Sequence, residues 1–399
     1  MKTNDYLELN FKDIKDISDF FPQTRRDFIK RLGGGIIIFV ALGDYLSAQE
    51  EVRYRGRRGG IPSDFNAFLR IGEDGRVTGY TGKIEMGQGP ITSLPQMLAE
   101  ELDTPLDTVD LVMGDTELCP WDMGTFGSMT TRIFGPAFRA AGAEARAVLL
   151  ELAADSLRVP QSQLAAKDGV IFDRKDKAKK VTYGQLAKGQ KIERHLKVKP
   201  PLKEVSEFTI MGKPQLHRDA HGKVTGEAQY AGDIRRPGML YAKLVRPPAH
   251  GATLKSVDTS AAEKILGVQI VRDDDLIAVL HELPDMADDA VEKVKAEYDV
   301  PESNLDDKNI FDHLLKVAPG AHVVTEGGDL EKGKKNSAKT FETTYLNSYV
   351  AHSPMETHTA LADIEGDKIT VWASTQNPFG AQGEIARAIG FRPENVRVI

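Results

Sequence analysis

Apolar and polar residues alternate through Phe68-Leu69-Arg70-Ile71 and again through Arg76-Val77-Thr78, on either side of Gly72-Glu73-Asp74-Gly75. That pattern predicts two strands around a tight turn. From residue 92 to 102 the period changes: Leu94, Leu98 and Leu102 recur at helical spacing, flanked by Met97 and Glu101, which predicts a helix with a core-facing stripe. After a short apolar run at 109–113, residues 136–154 are mostly alanine, with Leu149, Leu150 and Leu152 late in the run. This suits a helix packed closely against its neighbours. Residues 160–189 hold Asp168-Gly169 before Val170-Ile171-Phe172, then a basic run at 174–180, the pattern of a small hairpin with a solvated tip.

In the second half, residues 239–245 and 277–280 read as strands, and residues 285–298 as an amphipathic helix with Ala287, Val291 and Val294 on one side. Mixed elements of this kind indicate an α+β protein. Residues 197–207, with Pro200-Pro201, are the expected domain boundary, and residues 301–320 lose periodicity as a crossing segment would. Residues 340–350 are aromatic and β-prone, 352–356 form a turn, 369–373 a strand, 380–389 a helix, and 395–399 begin another strand. Ending inside a strand leads us to expect a domain that is incomplete as written.

Composition narrows the functional classes. A length of 399 residues allows two or three domains, and a net charge of -7 argues against a nucleic-acid partner. The single cysteine, Cys119, excludes an intrachain disulfide and any iron-sulfur cluster or cysteine-rich zinc site held by this chain alone. Redox chemistry here would pass its electrons to another protein. The nine histidines contain no H-E-x-x-H pair, and Asp233 and Asp273-Asp274-Asp275 lack calcium-loop spacing.

Thr24-Arg25-Arg26-Asp27-Phe28-Ile29-Lys30 precedes an apolar stretch at 32–42 that is short for a membrane span. The order of polar, basic, apolar and small residues resembles a twin-arginine export leader, with an amphipathic N-terminal helix as the alternative. Such a leader implies a periplasmic protein folded around a cofactor before export. Leu46-Ser47-Ala48 is a poor cleavage site, so a retained, membrane-associated leader stays open. Residues 49–62, carrying Arg53, Arg55, Arg57 and Arg58 among glycines, read as a linker.

The chemistry concentrates between residues 81 and 142. Thr81-Gly82-Lys83-Ile84-Glu85-Met86-Gly87-Gln88-Gly89-Pro90 joins a strand to a helix, and a long loop at 114–132, including Gly124-Thr125-Phe126-Gly127-Ser128-Met129-Thr130, precedes the next helix. Glycines in such loops let backbone N–H groups approach an anionic cofactor. Together with His352-Ser353-Pro354-Met355-Glu356 and Ser374-Thr375-Gln376-Asn377-Pro378-Phe379, this pattern resembles the molybdenum-binding large subunits of the xanthine oxidase and aldehyde oxidoreductase family. The M-G-Q-G segment comes first here, whereas it comes later in most of that family. The permuted order resembles the branch of the isoquinoline 1-oxidoreductase β-subunits, which includes membrane-associated aldehyde dehydrogenases.

The resemblance implies an α+β multidomain fold: a leader at 1–48, a molybdopterin-binding segment at 63–200, an α/β hammerhead domain at 208–300, a linker at 301–322 and the start of the first molybdopterin-binding domain at 323–399. It implies a molybdenum–molybdopterin cofactor, in the cytosine dinucleotide form, with no direct protein ligand to the metal. Gln88, between Gly87 and Gly89, would bind the pterin; Ser128 and Thr130 would supply hydroxyls on a loop shaped by Thr125 and Gly127; and Gln376 would stand beside the molybdenum oxo group. The residue-level alternatives are a turn glutamine for Gln88 and a helix-capping residue for Gln376. The implied reaction hydroxylates an aldehyde or N-heteroaromatic compound with oxygen from water. Electrons would leave through a small [2Fe-2S] subunit, with a membrane cytochrome c as a further acceptor. The family's late glutamate base has no match here, and neither Glu85 nor Glu356 lies in its motif, so both are expected to make structural hydrogen bonds. The expectation is a truncated chain, inactive alone. The rival is a non-catalytic fragment that acts as an assembly or binding module.

Overall fold

The structure, a computed structural model, describes residues 35–40, 67–189, 191–195, 200–320, 322–323 and 326–399. Arg25, Arg26 and the linker 49–62 lie outside the described residues. The chain divides into two compact units. One contains the described residues up to Asp233 together with Pro354–Ile399, and the other contains Ile234–Ser353.

In the first unit, strand β1 (Gly35–Val40) comes from the apolar run read as part of the leader. Ile36, Ile37 and Ile38 are buried there, a use that β-branched side chains fit well. β1 pairs antiparallel with β2 (Ala67–Ile71), which pairs antiparallel with β3 (Val77–Thr81) across the expected turn. Helix α1 (Pro90–Leu102) follows, and β4 (Val109–Met113) then lies parallel to β3. Helix α2 (Gly135–Leu157) is the alanine-rich segment. Leu94, Leu98 and Leu102 of α1 meet Phe138, Ala141 and Leu149 of α2 over Ile36, Leu69, Ile71 and Val77 of the sheet. Each buried leucine contributes roughly 1.5–3 kcal/mol. Strands β5 (Leu164–Lys167), β6 (Val170–Asp173) and β7 (Lys180–Thr182) form a small sheet with a solvated basic tip. Helix α3 (Tyr183–Ala187) leads to β8 (Lys191–His195), which completes the main sheet in the order β4-β3-β2-β1-β8.

Of the stretch expected to be a domain boundary, the described residues 200–207 stay with this unit. Glu100 and Glu101, both fully buried on α1, hold it there. Glu100 accepts N–H bonds from Thr209, Ile210 and Met211 at 2.9, 2.6 and 2.9 Å and meets the Lys203 ammonium at 3.3 Å. Burial alone would raise the Glu100 carboxyl; those N–H groups and Lys203 hold it below the ordinary carboxylate value instead. Glu101 accepts from Arg139 at 2.6 Å and from the Lys203 N–H at 3.2 Å. After helix α4 (Ala220–Thr225) the chain leaves this unit between Asp233 and Ile234, inside the span 208–300 read as one domain.

The second unit holds β9 (Tyr241–Leu244), β10 (Thr253–Asp258), β11 (Gln269–Asp273) and β12 (Leu276–His281). The helix expected at 285–298 divides into α5 (Pro284–Val291) and β13 (Lys295–Asp299). Helical spacing ends at Val291. Lys-Ala-Glu-Tyr-Asp then alternates, and β10 offers a ladder that pairs Ala296 with Val257 and Tyr298 with Leu254. Val294 still packs against the local core. Residues 301–320, expected to be aperiodic, include helix α6 (Ile310–Val317), and helix α7 (Leu330–Asn336) follows with Asp329 as its cap. No strand forms at 340–350, where Phe341, Tyr345 and Tyr349 are exposed and no ladder partner is present among the described residues.

Back in the first unit, β14 (Ala360–Glu365) and β15 (Lys368–Ala373) form a hairpin. Helix α8 (Pro378–Ile389) then carries the chain to β16 (Val396–Val398), parallel to β15. This βαβ crossover buries Ile369, Val371, Ala386, Val396 and Val398. With helices interspersed among several small, mainly antiparallel sheets, the fold is α+β.

Candidate functional site

Three connections in the first unit run from a strand into a helix: 82–89 between β3 and α1, 114–129 between β4 and α2, and 374–377 between β15 and α8. Because β3 and β4 are parallel, the first two loops leave the sheet at the same end, outside the carboxyl ends of the strands. The third is joined to them. Arg397 on β16 meets Asp115 at 2.5 Å, the Thr116 N–H donates to the Val398 carbonyl at 3.0 Å, and the Val398 N–H donates to Thr116 Oγ1 at 2.9 Å.

Thr125 makes the closest link between the three. Its Oγ1 accepts from the Ile84 N–H at 3.0 Å, and its own N–H donates to the Gln376 carbonyl at 2.8 Å. One buried residue therefore brings the segments bearing Gln88, Ser128 and Gln376 together. The exposed Gln376 amide meets no partner among the described residues. Helix α8 is capped by Asn377, whose side chain accepts from the Gly380 N–H at 3.0 Å, so capping does not occupy Gln376.

In the first loop a side chain already takes up the glycine N–H groups. Glu85 Oε1 accepts from the N–H groups of Gly87 and Gly89 at 2.7 and 3.1 Å, and Oε2 accepts from Ile91 at 3.0 Å. A carboxylate thus lies at the amino end of α1, where helix donors point outward. Gln88 closes the same loop, accepting from the Met86 N–H at 2.7 Å and donating to the Ile84 carbonyl at 3.0 Å. Its side chain does what a turn glutamine does, while its second amide proton stays available on an exposed residue. Gly89, at φ 91°, makes the turn into Pro90 at the first helical position.

The second loop is open. The N–H groups of Phe126, Gly127 and Ser128 meet no acceptor among the described residues, and all three residues are exposed. Gly127 and Ser128 both have positive φ, 66° and 55°. Thr130, half-buried, begins a π-helical turn (Thr130–Phe134) at the entry to α2, a local distortion frequent at functional sites. Met86 and Phe126 stand exposed at the tips of the two loops.

Below the loops lies an ion pair that sequence analysis missed. Lys83 and Asp122 are 0% and 2% exposed; Lys83 Nζ donates to Asp122 Oδ1 at 2.8 Å and to the Gly124 carbonyl at 2.6 Å, and lies 3.8 Å from the centre of the Phe134 ring. Burial pushes the Lys83 ammonium below and the Asp122 carboxyl above their ordinary values, and each charge resists the other's displacement. Asp122 Oδ2 has no donor among the described residues. No periodicity connects residues so far apart in the chain, and only Lys83's place beside the glycine loop could have drawn notice. A Cβ on Gly82 would strike Asp122, the Pro120 carbonyl and Phe379, so glycine is what lets the three loops close here. Cys119 is buried beside them. Burial pushes its thiol up to about 12, the value of an inert core residue and not of a reactive one.

Open backbone N–H groups, exposed Gln376 and Gln88 amides and a glycine cradle form a neutral donor set with acceptor capacity in the amide oxygens. They fit a polar organic group with hydrogen-bonding edges and anionic substituents. Among the described residues, no cluster of histidine, cysteine or acidic side chains could hold a metal ion directly. Comparisons with known proteins agree with this fit. The molybdopterin cofactor-binding domain is matched twice, over residues 22–231 and 315–399. The chain is 30% identical over 342 residues to a nicotinate dehydrogenase subunit of Pseudomonas putida, covering 83% of this chain and 29% of that protein. It is 27% identical to the β-subunit of isoquinoline 1-oxidoreductase from Brevundimonas diminuta, covering 83% of this chain and 49% of that protein. The chain thus spans between about a third and a half of these relatives' lengths. Aldehyde oxidoreductase from Desulfovibrio gigas is similar at 18% identity over 46% of this chain and 26% of its own, with a TM-score of 0.36. The matched domains, which contain all three loops, establish that the chain belongs to the molybdopterin cofactor-binding family, among the molybdenum-binding subunits of the xanthine oxidase type.

Proposed function

We propose that this chain is the molybdenum-cofactor-binding part of an oxidoreductase that hydroxylates aldehydes or N-heteroaromatic compounds with oxygen from water. The observation that carries the proposal is Thr125, which joins the Gln88, Ser128 and Gln376 segments through two hydrogen bonds. Molybdenum–molybdopterin, in its cytosine dinucleotide form, would supply the two-electron redox chemistry when bound. The protein's share is placement. The open N–H groups at 126–128 and the hydroxyls of Ser128 and Thr130 would hold the anionic and polar parts. Gln88, flanked by Gly87 and Gly89, would meet the pterin edge with its remaining amide proton. Gln376 would donate a hydrogen bond near the reacting centre without adding charge. Electrons would pass to a small [2Fe-2S] subunit and from there to a membrane cytochrome c. The similarity to the nicotinate dehydrogenase and isoquinoline 1-oxidoreductase subunits supports this class of substrates.

Export through Arg25-Arg26 to the periplasm, with the leader retained, is part of the same proposal. Removal of residues 1–48 would take β1 out of the middle of the main sheet, which supports retention. N-terminal sequencing of the periplasmic protein should find a start before Gly35; a start at residue 49 ends the idea of retention.

The central test is molybdenum and pterin content of the protein purified with its small subunit from molybdate-supplemented cells. Stoichiometric metal and pterin are expected, with both depleted in Gly127→Val, which crowds the open loop. A wild-type complex devoid of both would sink the proposal in favour of an assembly module.

A further inference from the structure

We propose that Lys83 and Asp122 are positioning residues: the buried pair clamps the first glycine loop to the second and so sets the spacing between Gln88 and the open N–H groups of Phe126–Ser128. The proposal rests on the cofactor site proposed above.

Lys83 follows Gly82 at the exit of β3, and its ammonium contacts the second loop at Asp122 and the Gly124 carbonyl, and the Phe134 ring at the end of the π-helical turn. Those contacts flank the segment that carries Thr125, Gly127, Ser128 and Thr130. Asp122 Oδ1 also accepts from the Gly124 N–H at 2.8 Å, which fixes the bend just before Thr125. The next residue after Lys83, Ile84, donates to Thr125. Register set at the pair is therefore passed within one residue to the junction that joins Gln376.

Stability alone does not account for such a pair. Withdrawing two charges from water is costly, and a well-packed apolar pair of similar volume frequently serves the fold as well or better. What an ammonium adds is direction. It must meet one carboxylate oxygen and one carbonyl at once, whereas methylene groups slide. Neither side chain reaches the exposed face where a ligand would sit, since both are buried. Their influence on a ligand would pass through the loops they hold.

The test compares the full chain with Lys83→Met/Asp122→Leu. Thermal unfolding, amide exchange at Ile84 and Thr125 against that at Leu69 and Val77, and pterin content of the complex with the small subunit are measured together. The expected result is a cooperative transition near that of the parent, unchanged exchange in the sheet, and exchange at Ile84 and Thr125 faster by about tenfold or more. Pterin content falls in parallel. Unchanged exchange at Ile84 and Thr125 in the folded double variant overturns the proposal. Asp122→Asn, which keeps the shape and weakens the hold on Lys83, is the milder second variant should the double one not fold. It should give a smaller rise at the same two amides, and no rise overturns the proposal equally. A parent complex without pterin refutes the cofactor reading, while the exchange data still decide whether the pair positions the loops.

Discussion

The two glycine loops at the exit of β3 and β4 have similar composition and opposite states. In the first, Glu85 accepts from the N–H groups of Gly87 and Gly89, and Gln88 from that of Met86. In the second, three successive N–H groups face solvent and the backbone holds Ser128 at a positive φ. Glycine content alone therefore does not make a loop receptive. What decides it is whether a side chain within reach already satisfies the amides: a carboxylate 2.7 Å from Gly87 in one loop, and none at Phe126–Ser128 in the other, where Asp122 serves only the Gly124 N–H.

The most disruptive way to break this contrast is at the junction. Thr125→Val keeps the shape but leaves the Ile84 N–H without its acceptor, and should destabilise the protein by about 1–3 kcal/mol in denaturant unfolding. A loss well below that range would mean the two loops are held together elsewhere. Glu85→Ala should convert the first loop into a copy of the second, at a cost of about 1–2 kcal/mol. Amide exchange at Gly87 and Gly89 would rise to the level of Gly127; if it stays slow, the carboxylate is not what closes the loop. Ser128→Gly relieves the left-handed strain and gives back chain entropy to the unfolded state, so stability should move by no more than about 0.5 kcal/mol. Cys119 marks where the openness ends. Its folded value stands above the ordinary 9.0, so the contribution of the neutral thiol is fully present below that pH and is lost as pH rises toward about 12. At about pH 8 iodoacetamide should label it only on unfolding, and rapid labelling of the native protein would show that the loop opens to its base.

These contrasts bear on how much could be read from residues alone. The β2–β3 turn, α1, α2, β15 and α8 were legible because period two or period 3.6 is written locally. The glycine loops were legible as a pattern, but their different states were not. Gly87 and Gly127 look alike in sequence, and it takes the fold to show that Glu85 turns back on one and nothing turns on the other. Glu101 read as a flank of the α1 stripe, yet it and its neighbour Glu100 bury completely because a strap at 203–211 brings its N–H groups to them. Helical spacing carried past Val291 concealed β13, since a strand's identity depends on the neighbour it finds. Lys83 carried no signal beyond its place beside the glycine loop, and Asp122 none.

Strand β1 has a consequence for the order in which this unit assembles. It lies between β2, its early partner, and β8, which is made only after α1, α2 and α3, and the β1–β8 pairing is parallel. Contacts between residues so distant in the chain carry a large loop-closure entropy and form late. During synthesis one edge of β1 would wait, exposed and apolar, until β8 emerged. That makes the interval before residue 195 the period in which this chain is most open to misassembly or to capture by a chaperone.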